Sequence, residues 1–244
     1  MRQIRIHTPQ PLVAGNEVEL DPHATEHVAR VLRMRVGDAL VLFNGDGRDC
    51  PAILTRCDKR SVTARIGSTI EVHLESPLRI TLAQALISGH KMDLVIQKAV
   101  ELGVHAIVPV ATERATVQLD ARRAGKRMAH WQAVVAGACE QCGRSTMPRV
   151  APLQGLHDWT ESLPDDGALR LALLPGAVQR VRDLAPAAAG MVLAIGPEGG
   201  FSRADSDCLD QAGFSGLSLG PRILRTETAG LAALAALQAV HGDG

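Results

Sequence analysis

The sequence predicts an α/β protein built from a small β-rich barrel followed by a larger domain with a parallel sheet. In roughly the first seventy residues, short β-branched runs alternate with turn residues around a single helix, which favours a small barrel. From Pro77 onward apolar strands alternate with helices, which is typical of a parallel sheet covered on both faces. The change of rhythm near Ser76-Pro77 marks a short linker between the two parts.

The first part, residues 1–74, is predicted to hold one helix and several short strands. The helix begins at Pro22 and ends near Arg33, and Asn44-Gly45 is a strong signal for a tight turn between strands. The predicted strand segments are IRIH, DALVLFNGDG, CPAILTR and SVTARIGSTIEVHL.

The second part, residues 77–244, alternates strands and helices. The segment KMDLVIQKAVELG places Met92, Val95 and Ile96 on one helical face and ends at Gly103. Another long helix follows the strand HAIVPV. The other predicted strands are RITLAQALI, ALRLALL, GMVLAIG and FSGLSLG, and helices follow the last two.

Composition indicates a globular protein outside the membrane. Apolar residues make up 46% of the 244 residues, but no run approaches the roughly 20 apolar residues that a membrane span needs. The start, MRQIRIHTPQ, is polar and basic and lacks the apolar segment of a signal peptide. We therefore expect a cytoplasmic protein with no membrane partner.

Neither the cysteines nor the histidines predict a metal site. Cys139 and Cys142 form a C-x-x-C, which is compatible with redox or zinc chemistry, but no second ligand pair follows it. The helical periodicity around them favours two thiols packed as small apolar groups. His23 and His27 stand four residues apart and could share a metal, yet no third ligand is evident. We expect no metal.

Charge is balanced overall but unevenly distributed. Lys and Arg number 26, as do Asp and Glu, yet residues 114–149 hold seven basic and two acidic residues while residues 150–221 hold four and nine. A basic segment can bind phosphate, or it can be a solvated helix face, and charge alone does not choose. With three Phe, two Trp and no Tyr, any RNA contact must rely on Arg and backbone rather than on base stacking.

Two glycine-containing loops follow apolar strands. The first, IGPEGGFS from Ile195, opens a helix capped by Ser202 or Asp205, and its glycines allow backbone N–H groups to approach a ligand. We expect that approach at Gly199, where a Val side chain would block binding. The spacing is neither a dinucleotide fingerprint nor a P-loop.

The second loop, LGPRILRTETA from Leu219, also leaves a strand and enters a helix, with Thr226 or Thr228 as the expected N-cap. Loops at the carboxyl ends of parallel strands converge on one edge of the sheet, so the two loops could line one pocket. Arg225 and Glu227 could serve such a pocket, or they could form a surface ion pair.

Both loops, GPEGGFS and LGPRILRTETA, resemble the cofactor loops of the SPOUT (α/β-knot) methyltransferases. More narrowly, the whole chain resembles the RsmE family of 16S ribosomal RNA (uracil-N3) methyltransferases. Three further segments match that family's motifs in order: HVARVLR from His27, KAVELGV from Lys98 with Pro109 after it, and EQCGRS from Glu140.

The resemblance implies a PUA-like RNA-binding β-barrel over residues 1–74 and a SPOUT methyltransferase domain over residues 77–244, with a C-terminal trefoil knot. It implies a homodimer that methylates N3 of a uridine in 16S rRNA of the small ribosomal subunit, with S-adenosylmethionine as the cofactor. The cofactor-binding residues it implies are Leu173, Leu174, Gly196, Pro197, Glu198, Gly199, Leu219, Gly220, Ile223, Leu224, Arg225 and Thr226.

Uracil N3 carries a proton and is a poor nucleophile until that proton is removed. Glu198 and Glu227 are the carboxylates beside the two loops, and Arg225 is the natural stabiliser of an anionic uracil, so these three are the catalytic candidates. His90 and His105 are alternatives. The RNA-binding candidates are His27, Arg30, Arg33, Arg35 and Arg144.

The last helix, residues 230–240, has almost no polar face, so we expect it to be buried on every side by a second copy of the chain, with Leu234 at the seam. Two other functions remain open: an RNA-binding assembly factor without chemistry, in which the two loops are only turns, and a small-molecule enzyme whose basic segment is only a solvated face.

Overall fold

The computed structural model describes residues 3–115 and 121–244. The chain forms two compact units. One contains Met1–Glu75 with Ala136–Met147, and the other contains Ser76–Val135 with Pro148–Gly244. The division after Glu75 falls beside the expected linker, but the sequence did not indicate that part of a later helix belongs to the first unit.

The first unit is built on a six-stranded, mainly antiparallel sheet in the order β1-β3-β4-β5-β2, with β6 paired to β4. Its strands are β1 (Arg5–His7), β2 (Glu17–Glu19), β3 (Ala39–Phe43), β4 (Arg48–Cys57), β5 (Val62–Ile66) and β6 (Ile70–Glu71). Among the described strands of this unit, β1 and β3 pair in parallel and the other pairs are antiparallel. Strand β2 was missed because VAGNEVEL carries one apolar residue between two glutamates.

The predicted helix of this unit changes type along its length. Helix α1 (Pro22–Glu26) is capped by the Asp21 carboxylate, which accepts from two backbone N–H groups, and a π-helical turn (His27–Val31) continues it. The chain then leaves the helix, and Arg33 adopts a left-handed conformation with φ 53°. The π-helical turn places Val28 in the core of the sheet.

The second unit contains an eight-stranded sheet whose pairings are all parallel, in the order β10-β8-β7-β13-β11-β14-β12, with β9 paired to β8. The strands are β7 (Ile80–Ala85), β8 (Ala106–Ala111), β9 (Arg149–Val150), β10 (Gln154–Gly155), β11 (Leu169–Leu173), β12 (Gln179–Arg180), β13 (Met191–Ile195) and β14 (Ser215–Ser218). The predicted parallel sheet is confirmed. The two-residue strands were missed because they are too short for a periodic pattern.

Helices cover both faces of this sheet. They are α2 (Gly89–Glu101), α3 (Ala121–Cys142), α4 (Leu156–Glu161), α5 (Arg203–Gln211) and α6 (Thr226–His241), and α3 continues into the first unit. On one face, Trp159 of α4 and Leu209 of α5 share a core with Ala83 and Val108. On the other face, α6 packs on β7, β13 and α2.

One face of helix α6 is buried and the opposite face is exposed, although nearly all residues of the helix are apolar. Leu234 and Leu237 are fully buried against the chain's own core, whereas Ala235 and Ala239 are exposed. The expectation that Leu234 lies at a subunit seam is therefore wrong: because it faces inward, a charge there would disrupt this domain's own core. Among the helices that the structure describes, none combines the length and the apolar character needed to cross a bilayer.

Candidate functional site

The two glycine-containing loops lie together in the second unit and line a cavity of about 1150 Å³. One loop follows β13 and the other follows β14, so both leave the carboxyl edge of the parallel sheet, as expected. The end of β11 and the segment Pro175–Val178 complete the wall. A cavity of this volume, with glycine backbone and aliphatic side chains in its lining, is of the kind that holds a cofactor.

The first loop is firmly held. Its turn is closed by a hydrogen bond of 2.9 Å from the Gly200 amide to the Pro197 carbonyl. Arg114 donates to the Gly199 and Phe201 carbonyls at 3.2 and 3.3 Å. Helix α5 then begins with a reciprocal cap between Ser202 and Asp205, which confirms the predicted N-cap.

The glycines of this loop differ in what they allow. A Cβ on Gly196 would lie 3.2 Å from the Phe201 amide nitrogen, which is tighter than an ordinary Cβ contact, so this position favours a residue without a side chain. A Cβ on Gly199 would instead make ordinary contacts of 3.5 and 3.7 Å with the Arg114 side chain. At Gly196 the loop itself therefore leaves little room for a side chain, whereas the expected block at Gly199 concerns a bound ligand and stays a prediction.

The second loop is joined to the first through Thr226. The residue before α6 is Arg225, whose side chain makes no capping bond, so the prediction of a Thr226 or Thr228 cap is wrong. The Thr226 hydroxyl instead donates to the Gly196 carbonyl at 2.6 Å. It accepts in turn from the Gln84 amide at 3.1 Å. Because Gln84 and Thr226 are buried, this chain of bonds fixes the distance between the loops.

A lysine stands between the two candidate carboxylates. The Lys91 ammonium of α2 lies 3.5 Å from one oxygen of Glu198 and 3.4 Å from one oxygen of Glu227. The backbone N–H of Glu227 itself, then Lys91 and Arg225, hold the pKa of the Glu227 carboxyl below its usual value. Glu227 is therefore ionised at neutral pH and is a weak base.

All twelve residues predicted to bind cofactor, together with Glu227, line this one cavity. That they bind a cofactor stays a prediction. The alternative histidines do not line it: His90 is exposed, and His105 contacts Arg79 at 2.7 Å. Lys91, Gln84 and the Pro175–Val178 segment were not predicted from the sequence. Of these three, the Pro175–Val178 segment alone could have been recognised as part of the cavity wall, because it lies at a strand end beside the predicted Leu173 and Leu174.

Four of the five predicted RNA-binding residues are accessible in the first unit. Arg30, Arg33 and Arg35 are exposed around the π-helical turn, and His27 is half-buried. Arg30 makes an exposed ion pair of 3.1 Å with Glu26. Such a pair contributes little to stability and leaves the guanidinium free to exchange partners.

The fifth predicted residue, Arg144, is not accessible to RNA in this way. It is buried, and its guanidinium pairs with Glu75 in a bidentate manner within the same unit. Beside it, Arg5 pairs with Asp49 and donates to the Ser145 hydroxyl at 2.9 Å, and Ser145 donates to Asp49. The Glu75 carboxylate, rather than an RNA phosphate, pairs with the Arg144 side chain, and Arg5 also donates to the Arg144 carbonyl at 3.2 Å.

The C-x-x-C lies next to this network. Cys139 is fully buried and Cys142 is half-buried, in agreement with packing of the first thiol, and both are free. Burial raises the pKa of Cys139 to about 12, so its thiol is protonated at neutral pH. Within residues 3–115 and 121–244, no three His, Cys, Asp or Glu side chains are grouped in a way that could hold a metal ion.

Family models match most of the chain. A model described as an RNA methyltransferase domain matches residues 74–238, and one described as an RNA methyltransferase PUA domain matches residues 20–67. Curated relatives named ribosomal RNA small subunit methyltransferase E align over almost the whole length. The protein of Buchnera aphidicola (subsp. Schizaphis graminum) is 33% identical over 98% of this chain and 97% of its own. The Bacillus subtilis protein is 30% identical over 92% and 88%.

Solved structures are similar over the full length. A putative methyltransferase from Legionella pneumophila, in complex with the bound cofactor SAM, is 43% identical with a TM-score of 0.95 and covers 100% of both chains. A ribosomal RNA small subunit methyltransferase E from Neisseria gonorrhoeae, bound to S-adenosyl methionine, is 40% identical with a TM-score of 0.94 over 99% of both chains.

Proposed function

Because the chain belongs to the RNA methyltransferase family of ribosomal RNA small subunit methyltransferase E, we propose that its cavity holds S-adenosylmethionine beside a uridine of 16S rRNA and directs methylation to N3. The chain is an S-adenosylmethionine-dependent methyltransferase of small-subunit ribosomal RNA. The observation that supports our assignment of the site is the convergence of the two loops on one cavity of about 1150 Å³.

The cavity lining suits this cofactor. Leu173, Leu174 and Ile195 offer apolar surface for an adenine ring, and the glycine loop brings backbone groups close to a ligand. S-adenosylmethionine supplies an electrophilic methyl group when it is bound. The protein has to hold the acceptor in line with that group and make its nitrogen nucleophilic.

Two candidate residues can prepare the acceptor. Glu198, on the first loop, is the proposed base for the N3 proton, whereas the Glu227 carboxyl, whose pKa is lowered, is poorly suited to accept that proton. Arg225, at the start of α6, is proposed to stabilise the negative charge that develops on the uracil oxygens.

RNA binding is assigned to the domain formed by residues 1–74, and methyl transfer to residues 77–244. Arg30, Arg33 and Arg35 are the proposed phosphate contacts, with His27 beside them. Replacing Arg33 and Arg35 by Ala should flatten the salt dependence of RNA affinity, because fewer counterions are released. Arg65→Ala, which removes an exposed Arg paired with Glu17, is the matched control. Identical salt plots for all three proteins would refute the assignment.

The resemblance also supports a homodimer and a C-terminal trefoil knot as proposals. The exposed face of α6 carries Ala235 and Ala239, and the large apolar side chains of Val178 and Ile223 are about nine-tenths exposed in the single chain. A partner copy would remove this surface from water.

Ala235→Arg should therefore give monomers in sedimentation experiments. Ala204→Arg, at another exposed alanine, on α5, should not change the mass. A wild-type monomer at micromolar concentration would contradict the dimer. The proposed knot is supported by a different feature. The neighbouring strands β7, β13, β11 and β14 do not follow one another in the order of the chain.

Methyl transfer to isolated small subunits tests the function. Subunits from cells lacking the gene, incubated with the protein and S-adenosylmethionine, should gain one 3-methyluridine in 16S rRNA by mass mapping. We propose the cytoplasm, where subunits assemble, as the site of this reaction. RNA binding without cofactor binding would favour an assembly factor. Cofactor binding without salt-dependent RNA affinity would favour a small-molecule enzyme.

A further inference from the structure

Lys91 is a cation in the cavity wall to which neither the sequence nor the proposed function assigns a role. It lies in the first turn of α2, while Glu198 belongs to the loop after β13 and Glu227 to the first turn of α6. Three separate elements thus bring one ammonium and two carboxylates together at the cavity.

The contacts hold the ammonium without enclosing it. Each carboxylate approaches with a single oxygen, at 3.5 and 3.4 Å, and the Lys91 side chain keeps 26% of its surface exposed. An ammonium has three N–H donors. Among the described residues, these two oxygens occupy at most two of the donors, which leaves at least one for a ligand in the cavity.

The sign of the charge indicates which ligand that is. The sulfonium of S-adenosylmethionine is positive, so an ammonium beside it would be repelled. A uracil that has lost its N3 proton is negative, and its charge is shared with the two carbonyl oxygens. A positive donor fixed in the wall stabilises that anion more than the neutral base, which is the condition for catalysis.

We propose that Lys91 is a catalytic residue that donates a hydrogen bond to a carbonyl oxygen of the target uracil and stabilises its N3 anion. The proposal rests on the uracil-N3 acceptor proposed above. In the step, the N3–H bond breaks and its proton passes to Glu198 and then to water. The N3 electron pair forms the bond to the methyl carbon, and the pair of the broken carbon–sulfur bond remains on sulfur. Glu227 stays ionised and anchors Lys91.

The test compares wild type, Lys91→Met and Lys91→Arg on small subunits reconstituted with 16S RNA that contains either uracil or 5-fluorouracil. The fluorine makes N3 more acidic, so the anion forms with less help. We expect Lys91→Met to lower kcat on the uracil substrate by on the order of 10²-fold. The deficit should shrink on the 5-fluorouracil substrate and as the pH is raised, and Lys91→Arg should retain part of the rate.

Two measurements apart from the reaction complete the test. Calorimetry should give S-adenosylmethionine affinities within about twofold for wild type and Lys91→Met, because the ammonium is proposed to contact the uracil and not the cofactor. At alkaline pH, wild type should bind 5-fluorouracil RNA more tightly than uracil RNA, in the presence of the demethylated cofactor, and Lys91→Met should lose that preference. Lys98→Met, on the same helix but paired with Glu101, is the matched control.

Three results would overturn the proposal. A large loss of S-adenosylmethionine affinity in Lys91→Met would assign Lys91 to the cofactor's carboxylate. An equal deficit on both substrates at every pH would make its role structural. An unchanged kcat would remove it from catalysis. These results differ from a failure of the proposed function, in which the wild-type protein itself would place no methyl group on uracil N3.

Discussion

Arg144 and Lys91 show how differently two cations held by carboxylates can serve one protein. The Arg144 side chain is 5% exposed and pairs with Glu75, inside a network that also joins Arg5 to Asp49. Lys91 is 26% exposed and touches two carboxylates loosely at the edge of a cavity. A guanidinium sealed in this way stabilises the fold of its unit, whereas an ammonium left partly open can still bind a ligand.

The largest expected effect comes from breaking the pair between Arg144 and Glu75. Glu75→Gln removes the bidentate carboxylate that the buried Arg144 guanidinium contacts, which should lower the free energy of unfolding by about 2 kcal/mol, less than for a fully buried pair because Glu75 is partly exposed. Cofactor affinity should not change, because the cavity is lined by other residues. Chemical denaturation and calorimetry measure the two quantities.

Glu71→Gln is the control for this prediction, because the Glu71 side chain is 79% exposed. It should change stability by less than about 0.5 kcal/mol. Equal stabilities of the two variants would mean that the Arg144 network is not structural.

A comparable or smaller effect is expected where the two loops are joined. Thr226→Val removes both the donor to the Gly196 carbonyl and the acceptor for Gln84, so buried polar groups are left unpaired at a cost of about 1–3 kcal/mol. S-adenosylmethionine affinity should fall about tenfold, since roughly 1.4 kcal/mol of that cost falls on the loop geometry. Thr226→Ser should retain both properties.

Thr228→Val tests the same substitution at an exposed position two residues further along α6. It should leave stability and cofactor affinity unchanged. If it behaves like Thr226→Val, the effect belongs to the helix and not to the bonds between the loops.

Lys91 should matter least to stability. Because the Lys91 pairs are partly solvated, Lys91→Met should change the free energy of unfolding by no more than about 1 kcal/mol. Thermal and chemical melts would measure this change. A loss as large as that of Glu75→Gln would erase the difference between the open and the sealed cation.

The reactivity of the Cys139 thiol tests, without any substitution, whether the region around Arg144 opens to solvent. Its pKa is raised to about 12, so at pH 8 the folded protein should react with iodoacetamide at the half-exposed thiols before Cys139. Mass spectrometry after brief labelling locates the adducts, and the denatured protein, with all five thiols accessible, is the reference. Early labelling of Cys139 would show that the region opens readily.

The comparison also explains what the sequence could and could not predict. Strand–helix alternation predicted the parallel sheet, and strand-end glycines predicted two converging loops, because both features depend on local patterns. The role of Arg144 was wrong because a matched motif does not say whether its charge meets RNA or Glu75. The position of Lys91 was not predicted because KMDL is typical of an ordinary helix start. Its partners, Glu198 and Glu227, lie more than a hundred residues away in the sequence.

Calorimetric titration of S-adenosylmethionine into wild type, Gly196→Val and Gly199→Val tests the assignment of the cavity most directly. We predict one cofactor per chain for wild type. Binding should be weakened in Gly196→Val, whose Cβ crowds the Phe201 backbone, and lost in Gly199→Val, whose side chain would stand where the loop backbone has to approach the cofactor. Thermal melts would verify that both variants fold. Wild-type affinity in a folded Gly199→Val protein would contradict the placement of the cofactor between the two loops.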